Sequence, residues 1–280
     1  MDEFKENLTY LLHYPGISWN TILQCLKMDS TLLSSPNTLN KSVFPSLTAI
    51  QTEHIIEQIR QYEKNDIHVI SIFDKNYPSL LKEIYQPPWA LFVKGNLSLL
   101  ETQSKLAVVG SRQATQYGKK AIRVIFPELL EKGVVIVSGL AAGIDTLAHE
   151  FAMKNGGNTI AVIAGGLYHI YPKENSDLAR EMMATQLVVS EYPPDTTPLR
   201  WHFPARNRII SGMSNGTFII EAKRKSGSLI TANYAVNEGR EVFSLPGSIF
   251  NPYSLGTNDL IRQGAKLVMS SEDILEELRL

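Results

Sequence analysis

The side chains in this 280-residue sequence that could do chemistry are mainly cations and hydroxyls set beside glycines. Gly110-Ser-Arg112 closes an apolar run, and an arginine there can fork onto a phosphate with two N–H groups or join a surface salt bridge. Ser138-Gly-Leu-Ala-Ala-Gly-Ile-Asp-Thr-Leu-Ala-His149 reads as a tight strand-to-helix turn. Its small residues let backbone approach a ligand, and the N–H groups of a helix start attract anions. Ser138, Gly139 and Gly143 are therefore candidates for a phosphate seat, unless the glycines serve chain geometry alone. Asp145 suits a cap of the following helix better than a phosphate contact, and His149 suits packing. In Gly165-Gly-Leu-Tyr-His-Ile-Tyr-Pro-Lys-Glu-Asn175, Lys173 offers a point charge. Tyr168 and Tyr171 are candidates to stack on a base, with simple packing as the alternative. Arg206 and Arg208 flank Asn207 at an expected helix start, which suits a sugar–phosphate chain or ordinary salt bridges. Lys223, Arg224 and Lys225 form the densest basic run, and the Ser-Gly-Ser turn ending at Ser228 is a second candidate seat.

No catalytic set accompanies these groups. There is no G-x-x-x-x-G-K-[ST] loop, no G-x-G-x-x-G opening the first helix of the alternating region, no H-E-x-x-H and no G-x-S-x-G. The six histidines show no paired arrangement, so neither a cofactor nor a metal is expected. With 27 basic and 28 acidic residues the net charge is −1, so any nucleic-acid site must be a local patch. One cysteine, Cys25, leaves no intrachain disulfide and suits a reducing compartment. No signal-peptide core and no bilayer-length apolar run are present, which predicts a cytoplasmic protein without a membrane partner.

The elements that must hold these groups alternate. Apolar runs at Lys105–Gly110, Val134–Val137, Thr159–Ala164, Leu187–Ser190, Thr217–Glu221 and Glu241–Leu245 read as strands. Helical patterns at Tyr117–Lys132, Ile144–Asn155, Ser176–Ala184, Pro204–Met213 and Leu229–Glu238 separate them. This rhythm predicts an α/β fold, a doubly wound and mostly parallel sheet, with ligands outside the carboxyl ends of the strands. Residues 1–65 read as a small helical domain, 66–104 as a connector leading into the sheet, and 105–280 as the sheet domain.

Seven motifs then occur in order: Val109–Arg112, Ser138–His149, Tyr171–Asn175, Phe203–Ile210, Glu221–Ser228, Pro246–Gly247 and Gly256–Ala265. Together they resemble the DNA-processing protein A family (DprA, also called Smf). The resemblance implies an extended Rossmann-like domain preceded by a SAM-like helical domain. It implies a non-catalytic recombination mediator in natural transformation, which binds and protects single-stranded DNA and loads the recombinase RecA. On this basis the family's DNA-binding arginine falls on Arg112 and its lysine on Lys173. The phosphate-binding set becomes Arg112, Ser138, Gly139, Gly143, Lys173, Asn175, Arg206, Asn207, Arg208, Lys225 and Ser228. The family dimerises through the C-terminal part of this domain, which points to Leu260, Ile261, Ile274 and Leu275, although a core role competes for those side chains. The winged-helix domain of some members is not expected before Leu280. The alternative is a nucleotide-binding or nucleotide-hydrolysing enzyme of the lysine-decarboxylase-like Rossmann class, with Glu221 or Glu191 as its acid.

Overall fold

Short β-branched runs flanked by glycine turns form strands here because alternate side chains can be buried on both faces of a sheet. In the strand Lys105–Val109, Leu106 and Val108 enter one hydrophobic cluster while Ala107 and Val109 enter another. The computed structural model describes residues 2–14, 16–32 and 49–278. Pro15 and residues 33–48 of the expected helical domain lie outside the described residues.

The chain opens with α1 (Glu3–Leu12), α2 (Trp19–Met28) and α3 (Ala49–Lys64). Ser18 caps α2, its Oγ accepting the Thr21 amide at 3.1 Å. Next come β1 (His68–Ser71), α4 (Ser79–Lys82) and β2 (Ala90–Gly95). The alternating region follows as β3 (Lys105–Val109), α5 (Gln116–Glu131), β4 (Val135–Ser138), α6 (Ile144–Lys154), β5 (Thr159–Ile163), α7 (Ser176–Thr185) and β6 (Leu187–Ser190). It continues through α8 (His202–Gly212), β7 (Gly216–Ile219), α9 (Ser228–Asn237), β8 (Glu241–Ser244), α10 (Leu255–Arg262), β9 (Lys266–Leu267) and α11 (Glu272–Leu278).

One sheet joins the strands in the order β1-β2-β6-β5-β4-β3-β7-β8-β9. From β3 to β9 neighbouring strands are parallel, while β1, β2 and β6 pair antiparallel. The α/β, mostly parallel expectation therefore holds. Residues 66–104 do more than connect, since they supply the two antiparallel strands at one edge. The helices α8 and α9 cover one face, and α5, α6 and α11 cover the other. α3 and α7 cover the end formed by β1, β2, β5 and β6. Trp19 and Trp89 stack with centroids 4.9 Å apart, and Trp19 Nε1 donates to Pro87 O at 2.7 Å, which docks the N-terminal helices on the β1–β2 segment.

Two corrections arise here. Ile274 and Leu275, expected at a dimer surface, are buried in the α5/α6/α11 cluster. Their helix closes the sheet beside Val268 and Phe243, and apolar side chains facing a sheet are core. Leu260 and Ile261 are only half-buried. The helix expected at Pro204 begins instead at His202. Proline in the first helical turn forfeits only an N–H that has no intrahelical acceptor. At 3.6 residues per turn, Arg206, Asn207 and Arg208 then lie inside the helix and point in three directions.

Candidate nucleic-acid interface

The chain leaves β3 toward β4, β5 and β6, then returns to β7 on the other side of β3. At such a reversal the loops diverge and leave a crevice. A cleft of about 710 Å³ lies there, walled by the β3–α5, β4–α6 and β7–α9 turns and by α8. Four exposed cations line it: Arg112, Arg200, Lys223 and Lys225. Aromatic rings sit between them. The Arg112 guanidinium lies 6.0 Å from the centre of Phe203, which meets Tyr171 edge to face at 5.4 Å. Across the cleft, Lys223 Nζ is 4.6 Å from the centre of Tyr253, whose hydroxyl donates to Gln113 Oε1. Cations poised over ring faces keep their charge toward solvent and hold the rings in fixed attitudes.

The floor departs from the expected phosphate seat. The β4–α6 turn already holds an anion, the carboxylate of Asp145. It accepts the Gly139 amide at 3.2 Å and is also bonded by the Gly110 and Ala141 backbone. Burial pushes its pKa up to about 6, against the pull of Arg206. Ser138 Oγ donates to Val108 O at 2.6 Å, away from the cleft. A side chain at Gly139 would strike the Arg206 guanidinium, and one at Gly143, which has φ +85°, would strike the backbone of Ser111 and Arg112. These glycines let the turn pack on itself.

Arg206 is 5% exposed. Its Nη1 donates to Gly139 O and Val162 O, so it ties α8 to the ends of β4 and β5. Asn207 lines the cleft and its Nδ2 donates to Gly227 O at 3.3 Å. Arg208 turns away, pairs with Glu191 and donates to Gln86 O. Asn175 is buried, with Nδ2 donating to Leu140 O and Thr146 Oγ1, both at 2.8 Å. Ser138, Gly139, Gly143, Asn175, Arg206 and Arg208 thus build the site's frame, because each polar group already has a partner inside the fold or turns away from the cleft. Ser228 lines the cleft with its hydroxyl 2.7 Å from Ser226 Oγ, and Lys225 stands free beside it.

Lys173 is exposed in an adjoining groove of about 660 Å³ that shares Tyr171 with the cleft. Tyr168 lies in that groove too, and its hydroxyl accepts from Asn65 Nδ2 at 3.0 Å, a tie to the end of α3. The candidate acids are also committed. Glu221 accepts from the Thr115 amide and hydroxyl at the start of α5, and Glu191 holds Arg208. Buried His149 bonds Thr159 Oγ1 at 2.6 Å, and burial pushes its pKa down to about 3. Among the described residues no cluster of three metal-ligating side chains occurs.

Phe203, Arg200 and Tyr253 escaped the reading of the sequence as site residues. The only signal for the first two was an aromatic and cationic run, Arg200-Trp-His-Phe203, just ahead of the arginine motif.

The sequence model described as "DNA recombination-mediator protein A" matches residues 68–279. This chain belongs to that family. The recombination-mediator family match begins with β1 and takes in both β1 and β2. Among its relatives, the DNA processing protein DprA of Bacillus subtilis is 45% identical over 286 aligned positions, which cover 99% of this chain and 96% of that one. The X-ray structure of DprA from Streptococcus pneumoniae superposes with a TM-score of 0.83 at 42% identity, covering 99% of both chains. A Helicobacter pylori DNA processing protein A, whose structure was described for its single-stranded DNA binding mode, gives a TM-score of 0.68 at 32% identity. That match covers 76% of this chain and 95% of the other.

Proposed function

We propose that this protein binds single-stranded DNA in the switch-point cleft and acts as a recombination mediator in natural transformation. The observation that carries this reading is the alternation of exposed cations with aromatic rings around one cleft, in a chain of net charge −1. Arg112, Arg200, Lys223 and Lys225 hold phosphates, Tyr171 and Phe203 offer faces to unpaired bases, and Lys173 extends the track past Tyr171. Contacts of this kind follow the backbone and stack on any base, so binding tolerates sequence. A duplex keeps its base faces stacked inside and gains only the charge contacts.

In this reading the cleft binds rather than catalyses: Asp145, the carboxylate in its lining, is held by the β4–α6 turn, and the candidate acids Glu191 and Glu221 are bonded elsewhere in the fold. The partners are single-stranded DNA, the recombinase RecA and a second copy of the chain. The dimer surface lies around Leu260 and Ile261 and the open edge at β9, where Leu267 and Met269 are exposed. An unpaired edge with exposed apolar side chains favours association. Two clefts on one strand would raise the effective concentration at the second. The helical segment 1–65 acts as a SAM-like cap on the sheet domain. A cytoplasmic location belongs to this proposal; among the described residues no helix is long and apolar enough to cross a membrane.

The test is fluorescence anisotropy of labelled single-stranded and duplex oligonucleotides across a salt series. The single strand should bind more tightly, with a slope of log K against log salt of about −3 for four phosphate contacts. Equal, salt-insensitive binding to both would overturn the reading.

A further inference from the structure

A groove opens at the lip of the cleft between α5 and α6. Both helices start at carboxyl ends of neighbouring strands, β3 and β4, and run back over the same face of the sheet. The groove encloses about 260 Å³ over an apolar floor of Ile122, Leu147 and Phe151. Lys119 and Arg123, one turn apart on α5, and Lys154 at the end of α6 rim it, with Glu150 among them. None of the three cations lies within ion-pair distance of Glu150 or any other carboxylate among the described residues. Surface lysines such as Lys75, Lys120 and Lys132 also lack an ion pair among the described residues; the groove is distinguished by three such cations gathered around one apolar floor.

Three like charges gathered on one groove repel one another and attract an anionic chain. We infer that this groove is a second track for single-stranded DNA leaving the cleft. Phosphates meet Lys119, Arg123 and Lys154, and a base or sugar rests on Phe151. The inference depends on the cleft being the single-strand site. The turns that lead into α5 and α6 wall the cleft, and that proximity favours a nucleic acid over an acidic protein partner. The groove's size agrees, since it admits one ring but not a protein helix of about 10–12 Å diameter.

The full-length chain carrying Lys119→Gln, Arg123→Gln and Lys154→Gln tests this, with Arg112→Glu as the control. Two labelled single strands serve as probes, one of ~5 nucleotides that fills only the cleft and one of ~20 that runs beyond it. The triple variant should bind the long strand about 10-fold or more weakly, with a salt slope shallower by about 2, and bind the short strand as the unaltered protein does. Arg112→Glu should weaken both. Unchanged long-strand affinity in the triple variant, while Arg112→Glu still weakens it, overturns the second track and leaves the cleft standing. Failure of the unaltered protein to bind either strand overturns the cleft reading and the track with it. The three side chains project from the surface, and an unchanged circular dichroism spectrum and melting temperature confirm the variant's fold.

Discussion

The β4–α6 and β7–α9 turns each lead from a buried strand through a glycine N-cap into a helix, yet one is closed by its own chain and the other is open. In the first, Asp145 fills the anion position and Arg206 closes over Gly139. In the second, Lys225 is exposed, Ser226 and Ser228 line the cleft, and a side chain added at Gly227 would meet nothing within 4 Å. In the first turn the protein itself supplies the anion, while serines rather than a carboxylate stand at the second helix start, as the proposed phosphate contact requires. Whether the anion comes from the protein or from a ligand depends on what the rest of the fold brings to it.

The largest expected effect breaks the closed turn. Arg206→Met removes the donor to two buried carbonyls and the cation nearest Asp145, and should cost about 3–5 kcal/mol in a urea melt. A loss under 1 kcal/mol would mean that Arg206 does not hold the floor.

The next is the proton on Asp145. Its folded pKa of about 6 lies above the ordinary 3.8, so the folded state keeps this proton to higher pH than the unfolded chain. Stability from this group is therefore greatest below about pH 4 and falls as pH rises through 6. His149, held near 3 against an ordinary 6.5, acts with the opposite sign, so its share of stability rises over that range. Asp145→Asn deletes only the falling limb. Stability of the variant minus that of the unaltered protein should therefore increase by about 3 kcal/mol between acid and neutral pH. A flat difference across pH-dependent melts would contradict the buried-anion account.

On the open side, Arg112→Glu should leave the fold intact and weaken single-strand binding by about 10- to 100-fold, the worth of one charge-assisted contact. Unaltered anisotropy in a folded variant would remove Arg112 from the interface. Tyr171→Ala should cost about 1 kcal/mol of binding, the low end for a stacked base, while Tyr171→Phe should bind normally. If the phenylalanine variant loses as much, the hydroxyl rather than the ring makes the contact. The smallest effect contrasts glycines. Gly227 has φ −62° and open space, so Gly227→Ala should be neutral or stabilising by up to about 1 kcal/mol, whereas Gly143→Ala should destabilise. Equal melting temperatures for the two would erase the distinction between the turns.

Much of the sheet was legible along the chain. Stretches such as Val134–Val137 and Ile160–Ile163 carry apolar residues at every position, and only strands covered on both faces tolerate that. The loops at their ends held glycines and cations, and the structure places Arg112, Lys225 and Tyr171 from such loops on the cleft. The antiparallel role of β2 was hidden, because Ala90–Gly95 gains its meaning only by pairing with β6, roughly a hundred residues on. The dimer expectation for Ile274 and Leu275 failed for a related reason, since an apolar helix face does not say what it will cover.

The sequence by itself determined the alternation of strands and helices, the glycine-bearing loops at the carboxyl ends of the strands, and a stock of cations in those loops. These depend on neighbours a few residues apart, whose periodicity and turn chemistry act locally. Only the tertiary structure decided which cations face water. Arg206 reaches Gly139, Arg208 reaches Gln86 and Asn175 reaches Leu140, while Arg112 finds Phe203 and stays exposed. A buried polar group must find a partner wherever the fold supplies one, and that partner is distant in the chain.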